Sequence, residues 1–424
     1  VYDNTDRLVA GYRYDAGDGF LRSLRATAYA TQVDHWMADG LRATSTNAPR
    51  GWGMGTNATT KMIGGTFEAE LGPVVVGLEA YTRNWDAWTE MAGMMYMRQF
   101  SIPDVDLDAI GLSARWGHAF SNRTRMELGA RVDRVSTTAD SDIANTGLYY
   151  AYHGVTETSR TDTEPSFSFQ VNHRLSSNLN LAGSVSRTVR SPDARERYFA
   201  LKRMGGDWVG NPELAPPVAT GAELGLNWSA GAGVLSATAW TERVDDFILL
   251  YSQPRMNMVP GVMNPRAMTY TNVDAHLRGA SLSGSLAVSS RLSFSGSASY
   301  VRGTQDPNEE LSITSTDLPE MPPLTGRLAL RWQNSSFFAE AEGVGAARQD
   351  KVDEDLSESE TPGWAVMNLK AGYTWNRWRV QAVLANVFDR NYHQHFSYLR
   401  NPYRSGYVLN EPGRNFSVTL GFTY

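Results

Sequence analysis

The ten residues Asn415–Tyr424, with the sequence NFSVTLGFTY, decide the fold class of this chain. Apolar residues stand at every second position from Phe416 to Tyr424, and Asn, Ser, Thr and Gly stand between them. Because the side chains of a strand alternate between its two faces, one face is apolar and aromatic while the other is small and polar. This pattern is typical of an outer-membrane β-barrel strand, whose outer face meets lipid and whose inner face meets water.

The composition excludes several other classes of protein. The chain has 424 residues, 20% of them charged, and no apolar run approaches the roughly 20 residues of a membrane-spanning helix. The absence of Cys excludes disulfides, cysteine-bound zinc and iron–sulfur clusters within this chain. A net charge of −6 argues against a nucleic-acid partner.

Alternating segments recur along the whole chain and predict about 17 antiparallel strands. The links between them are alternately short and long, which is how outer-membrane barrels are built, with short periplasmic turns and long extracellular loops. A soluble β-sandwich or propeller has no reason to alternate its links in this way. The predicted strands lie near residues 5–15, 20–37, 60–71, 73–85, 106–119, 123–136, 161–175, 178–189, 217–229, 233–244, 268–288, 291–302, 323–333, 336–348, 363–375, 377–389 and 413–424.

Six stretches in the second half resemble the barrel of a TonB-dependent outer-membrane receptor. They follow one another in that family's order between residues 187 and 424. They are Val189-Arg190-Ser191-Pro192 with Gly210-Asn211-Pro212-Glu213-Leu214-Ala215-Pro216, Glu242-Arg243-Val244-Asp245-Asp246-Phe247-Ile248, Tyr270-Thr271-Asn272-Val273, Arg278-Gly279-Ala280-Ser281-Leu282, Asn386-Val387-Phe388-Asp389-Arg390-Asn391-Tyr392, and Pro412-Gly413-Arg414-Asn415-Phe416.

The resemblance implies a 22-stranded barrel, of which residues 1–424 would form the C-terminal portion. It also implies an N-terminal plug domain and first strands that lie outside this chain, and a TonB complex that engages the receptor through that plug. Bacterial single-chain barrels have an even number of strands, so the odd count of 17 agrees with missing N-terminal strands. We expect a monomer in the bacterial outer membrane that contacts lipid and lipopolysaccharide, and we expect no catalytic residues and no enzyme.

Methionine is the residue type that suggests a ligand. Thioether sulfur is a soft ligand that suits Cu(I) and needs no deprotonation. Each of these methionines alone also fits a simple role in filling gaps between loops. Of 15 methionines, 11 lie in the predicted long loops or adjoining strand ends, namely Met37, Met54, Met91, Met94, Met95, Met97, Met204, Met256, Met258, Met263 and Met268.

One pair has the spacing of a ligand set. In the strand predicted near 20–37, Arg25, Thr27, Tyr29 and Thr31 form the polar parity, and His35 and Met37 continue it. Both side chains should therefore point into the lumen from one strand, two residues apart, where an imidazole and a thioether can reach the same ion. Trp36 has the opposite parity and should lie at the upper lipid interface.

Two further methionine groups are candidates for an outer capture layer. They are Met94-Met95-Tyr96-Met97 and Met256-Asn257-Met258, both in predicted long loops. His393-Gln394-His395 repeats the i, i+2 spacing in the last long loop, where other metals and plain hydrogen bonding compete. We expect the acidic run Asp353-Glu354-Asp355 to be solvated loop surface.

Together these features resemble the copper-receptor branch of the family, the OprC/NosA type. The resemblance implies that copper, as Cu(I), is the transported substrate and that plug residues complete its ligand set. A second hypothesis keeps the family but takes a ferric siderophore, haem or cobalamin as the ligand, bound by Arg195, Arg197, Arg203, Trp208 and Tyr198. A passive pore or a barrel enzyme is a third alternative.

Overall fold

The structure is a computed structural model that describes residues 2–17, 19–396 and 408–423. It contains one large sheet, two short α-helices and two 3₁₀ turns. The strands are β1 (Tyr2–Asp15), β2 (Leu21–Ala38), β3 (Met54–Leu71), β4 (Val74–Met91), β5 (Gln99–Ala119), β6 (Thr124–Ala139), β7 (Ser159–Ser176), β8 (Leu179–Val189), β9 (Ala200–Leu201), β10 (Asp207–Val209), β11 (Val218–Ala230), β12 (Gly233–Pro254), β13 (Arg266–Ala287), β14 (Leu292–Gln305), β15 (Thr325–Gln333), β16 (Phe337–Ala346), β17 (Trp364–Trp375), β18 (Trp378–Ala385) and β19 (Asn415–Phe422). The helices are α1 (Thr146–His153) and α2 (Ala194–Tyr198), and the 3₁₀ turns are Ala43–Ser45 and Ala92–Met94.

Seventeen long strands pair in chain order, each antiparallel to the next, so the predicted number and order are confirmed. Several strands run further at the long-loop end than predicted: β12 continues to Pro254 and not only to about residue 244, and β5 begins at Gln99 and not near residue 106. The two short strands β9 and β10 were not predicted. They lie inside the loop between β8 and β11, and β8 therefore pairs directly with β11. Strand β10 pairs with β9 and, in parallel, with the start of β13.

The register separates an apolar face from a polar face. In β18 and β19, Leu384, Ala382 and Val380 pair with Phe416, Val418 and Leu420, and these three residues of β19 are all exposed. In β13 and β14, Ser281 and Ser283 pair on the opposite face with Ser299 and Ser297. Exposed apolar side chains over this height of sheet are stable only against lipid, so we call this the outer face and the polar one the inner face. Tyr424, the last aromatic of the opening pattern, lies outside the described residues. Within the described ranges, no helix has both the length and the apolar character needed to cross a membrane.

The long loops all leave the same end of the sheet, and several pack into a core of their own. Helix α1 begins at the cap Asn145, whose side chain accepts from the amide of Leu148, and ends at Gly154 in a left-handed conformation with φ 74°. Leu148, Tyr149 and other α1 residues are fully buried against β9 and β10 in the loop between β8 and β11 and against the loop between β12 and β13. Loops that bury whole side chains in this way form a cap over the long-loop end of the lumen.

Helix α2 is held against the inner face of β4 to β6. Asp193 and Glu196 form a reciprocal capping box at its start. Tyr198 is fully buried in a cluster that includes Ala87 of β4 and Ile102 of β5. The loop from β8 to β11 therefore folds inward into the lumen.

Candidate metal site at the long-loop end of the lumen

His35 and Met37 lie near the long-loop end of β2, on its inner face. His35 pairs in register with Ala58, and Ala58 packs against the buried cluster around Tyr198. Met37 pairs with Thr56, whose hydroxyl lies 2.9 Å from that of Thr89. The structure thus places the imidazole and the thioether on one face, two residues apart.

Both side chains are accessible to an ion from the lumen. The His35 side chain is 34% exposed, and its Nδ1 lies 3.6 Å from Oδ2 of Asp3 on the neighbouring strand. Met37 is 50% exposed. At this distance the carboxylate is a nearby negative charge and not a hydrogen-bond partner of the ring. The arrangement can supply one nitrogen and one sulfur to a soft cation, and further donors must come from elsewhere.

The residue between them faces outward. Trp36 lies against Trp52, with ring centroids 5.6 Å apart, and against Trp88 at 5.8 Å. Trp52 in turn meets Tyr96 edge-on at 4.9 Å. This outer cluster fixes the end of β2 through its outer face, and so it holds the inner-face direction of His35 and Met37.

Met94, Met95 and Met97 form a tight turn between β4 and β5. Met95 and Tyr96 both have positive φ, 52° and 57°. Two successive non-glycine residues in this conformation are strained by about 1–3 kcal/mol each. The Tyr96 hydroxyl donates to the Trp52 carbonyl at 2.8 Å, and the Arg50 guanidinium lies 4.3 Å from the centre of its ring. Tyr96 is turned toward the outer aromatic cluster, and Met95 and Met97 are exposed to solvent.

Met256 and Met258 lie in the loop between β12 and β13, beside α1. The amide of Met256 donates to the Ala151 carbonyl, and the Met256 sulfur lies 3.5 Å from Nε2 of Gln253. Both methionines are exposed. The five loop methionines are thus on the same side of the molecule as His35 and Met37, but they belong to separate loops. Their roles as ligands remain predictions.

The last long loop gives His395 a structural partner. Its Nε2 lies 3.3 Å from Oε1 of Glu358, its Nδ1 lies 3.0 Å from the Thr361 hydroxyl, and His395 and Glu358 are both almost fully buried. Burial acts to raise the pKa of Glu358, but hydrogen bonds from His395 and from two backbone amides hold that pKa below its usual value. Among the residues that the structure describes, no group of three or more His, Asp or Glu side chains is arranged to hold a metal ion.

The acidic run in the loop between β16 and β17 is solvated surface at Glu354 and Asp355, as expected, but not at Asp353. Asp353 is 1% exposed, and it accepts hydrogen bonds from Gln305 and from the amide of Leu356. Burial raises its pKa to about 6. The expectation was wrong for Asp353 because the loop folds back over β12 and β13, where Leu356 packs against Leu249 and Val273. The local sequence does not reveal this contact.

Two of the five residues suggested for an organic ligand, Arg197 and Tyr198, are fully buried. Arg197 is fully buried, where it pairs with Asp162 at 2.7 Å and donates to the Leu214 carbonyl at 2.9 Å. The Tyr149 hydroxyl donates to the carbonyl of the buried Tyr198. The guanidinium of Arg203 lies over Trp208, 4.9 Å from the ring centre. Arg197 and Tyr198 therefore hold α2 and its loop in place, whereas Arg195 is exposed and Arg203 and Trp208 are partly exposed.

The sequence match to a known family covers most of the chain. Residues 1–387 match the family described as TonB dependent receptor-like, beta-barrel. The chain belongs to that family. It is therefore a protein of the outer membrane of Gram-negative bacteria, and its family consists of receptors and transporters rather than enzymes.

Solved structures of TonB-dependent receptors share this fold. A structure described as copper transporter OprC is 20% identical with a TM-score of 0.80 and is matched over 99% of this chain and 65% of that one. The FrpB iron transporter from Neisseria meningitidis is 15% identical with a TM-score of 0.70, over 99% and 62%. The ferric-catecholate import receptor Fiu from E. coli K12 is 15% identical with a TM-score of 0.61, over 99% and 64%. The chain thus spans about two thirds of these receptors, and at such identities the likeness concerns the fold. A comparison with curated protein sequences found no match.

In TonB-dependent receptors the long loops are extracellular and the short turns periplasmic. Sequence reasoning found β2 and its two inward side chains but missed the loop core. The signals for α1 and α2 are present, since Asn145 and Gly154 bracket eight residues, and Asp193 and Glu196 have the spacing of a capping box. Both helices are stable because they are buried against distant segments, and no local sequence pattern predicts this burial.

Proposed function

We propose that this chain is the barrel of a receptor that imports copper ions across the outer membrane with energy from TonB. His35 and Met37 bind the ion at the extracellular end of the lumen, and plug residues outside this chain complete its coordination. The observation that carries the proposal is the shared inner-face position of an imidazole and a thioether on β2. A mixed nitrogen and thioether pair favours a soft cation such as Cu(I) over Zn(II) or Fe(III).

The packed cap supports a small cargo. Buried α1 and inward-folded α2 occupy the extracellular side of the lumen, and the cap contains fully buried side chains such as Tyr152 and Arg197. An ion needs only a narrow path through such a cap, whereas an iron chelate of several hundred Å³ needs a preformed cavity. The name of the OprC structure agrees with copper, while the FrpB and Fiu names are the reason to test iron compounds as the alternative.

The first test is the metal content of the full-length, plug-containing receptor purified from copper-supplemented cells. We expect about one copper per chain in the wild type and its loss in the His35→Ala/Met37→Ala variant. The matched control is His118→Ala/Met126→Ala, which removes the same two residue types from directly paired positions on the outer face of β5 and β6. Equal copper in the wild type and in both variants would refute the site.

The same preparation tests the alternative. If the wild type holds no copper but binds a ferric siderophore, haem or cobalamin, the substrate assignment is wrong while the family assignment stands. Competition with Zn(II) and Fe(III) tests the softness of the site, since neither should displace Cu(I). The TonB complex, outer-membrane lipid and lipopolysaccharide as partners, and the monomeric state, belong to the same proposal.

A further inference from the structure

Two extracellular loops that are far apart in sequence are joined by a pair of amide hydrogen bonds. Nε2 of Gln99, at the start of β5, donates to the Lys202 carbonyl at 3.3 Å, and the Lys202 amide donates to Oε1 of Gln99 at 3.0 Å. A side-chain amide that satisfies both backbone groups of one residue fixes the distance and direction between the two segments. The loop from β4 to β5 is therefore held against the loop from β8 to β11.

A methionine stands two residues from this junction on each loop. Met97 precedes Gln99, and Met204 follows Lys202. The sulfur of Met204 lies 3.7 Å from the place that a Cβ of Gly93 would occupy, next to Met94. Met204 therefore lies beside the turn that contains Met94, although it belongs to a loop more than one hundred residues away in sequence.

The thioethers on both sides are presented to solvent rather than packed. Met204 is 88% exposed, Met95 82% and Met97 56%. Met204 is followed by Gly205 and Gly206 with φ of 86° and 156°, and a Cβ at either glycine would meet nothing within 4 Å. One side of this junction is thus a strained turn that Tyr96 holds in place. The other side is a loop tip whose two glycines leave it free to close on a ligand.

We propose that Met204 and the turn containing Met94, Met95 and Met97 form one site for a soft monovalent cation that bridges the two loops. The inference rests on the proposed function, because it deepens the outer capture layer of the same import path. Thioethers suit Cu(I), and they remain neutral at every pH, so protons do not compete for the site. The loop that carries Met204 also carries α2, which packs into the lumen, so an ion bound outside would be coupled to the loop that fills the inside.

The test measures Ag(I) binding, as a redox-stable soft probe, to the full-length receptor in the His35→Ala/Met37→Ala background. In that background the site at His35 and Met37 does not contribute to the number of Ag(I) ions bound per chain. The variants are Met204→Leu, Met97→Leu and the two together, since Leu keeps the size and removes the sulfur. The control is Met263→Leu, which removes a thioether that is 84% exposed in the neighbouring loop between β12 and β13.

We expect each single substitution to weaken Ag(I) binding at least tenfold or to remove one Ag(I) per chain, and the double variant to lose little more than either single one. The control should bind as its parent does. Binding by Met204→Leu equal to that of the control would overturn the proposal, as would losses in the double variant that add as two independent sites. These outcomes are separate from the copper content that tests His35 and Met37, so either idea can fail alone.

Discussion

At the level of single residues, the buried pair His395–Glu358 shows how the last two long loops are joined. Glu358 accepts from the amides of Asp353 and Glu320, and His395 approaches its remaining side. A buried carboxylate needs such partners because its desolvation is costly. The pair is therefore a structural contact between loops, and its spacing with His393 does not by itself indicate a metal site.

Removing one member of this pair should loosen the loop between β16 and β17. We expect His395→Ala to destabilise the closed state of this loop by about 1–3 kcal/mol, because the Thr361 hydroxyl and one side of the buried Glu358 lose their contacts while Glu358 keeps its two backbone amides. Limited proteolysis within 347–363 measures the opening. His393→Ala, two residues away, is the control and should be cleaved like the wild type. Equal cleavage of both variants would contradict this role.

The raised pKa of Asp353 predicts that the stability of the same loop depends on pH. Burial raises its pKa from 3.8 to about 6, so the folded loop retains a proton that the open loop releases. The stability of the closed loop should therefore fall as the pH rises from about 4 through 6. Glu358, with its lowered pKa, stays ionised above its ordinary value of 4.5 and does not reverse this trend between pH 5 and 7.

The measurement is amide hydrogen exchange in residues 350–358 at pH 5 and pH 7, corrected for the intrinsic exchange rate. Wild type should be less protected at pH 7, and Asp353→Asn, which cannot ionise, should lose most of that difference. An unchanged pH dependence in Asp353→Asn would assign the effect to another group.

At the level of the strand, the face on which a side chain lies matters more than its identity. Leu282 and Ser283 are neighbours in β13, yet Leu282 lies on the lipid face with Ala298 and Ser283 lies on the lumen face with Ser297. A one-residue shift of register would exchange the two faces along the whole strand. The alternating pattern thus specifies pairing as well as membrane insertion.

An arginine at each of these two positions should have opposite consequences. We expect Leu282→Arg to cost about 2–4 kcal/mol of folding free energy in a bilayer, because the charge enters the hydrocarbon. Ser283→Arg places the same side chain in the lumen and should be nearly neutral. Urea titration of the receptor folded in lipid vesicles compares them, and equal costs would show that the faces are misassigned.

At the level of the whole molecule, the barrel wall and the loop cap are stabilised by different interactions. The wall depends on strand pairing and on lipid, while the cap depends on buried side chains such as Leu148 and Tyr149. The Tyr152 hydroxyl donates to the buried Asp207 at 2.7 Å and joins the helix to β10. The local stability of the cap can therefore differ from that of the wall.

Truncating a buried residue of α1 tests this independence. We expect Leu148→Ala to destabilise the cap by about 2–5 kcal/mol, since the side chain is fully buried and leaves a cavity. Hydrogen exchange should accelerate in α1 and in the adjoining residues 255–265 and remain unchanged in β15 to β18. Uniform acceleration across the wall would mean that cap and barrel unfold together.

The sequence by itself determined the wall: the 17 long strands, their lipid and lumen faces, the alternation of short and long links, and the inward direction of His35 and Met37. It could do so because strand periodicity and the contrast between lipid and water act on neighbouring residues. Only the tertiary structure determined the arrangement of the cap: the burial of α1, the position of α2 against β4 to β6, the burial of Asp353 and the approach of Met204 to Gly93. Those features depend on contacts between segments as much as one hundred residues apart, and the free energy of such contacts comes from burial that no local pattern records.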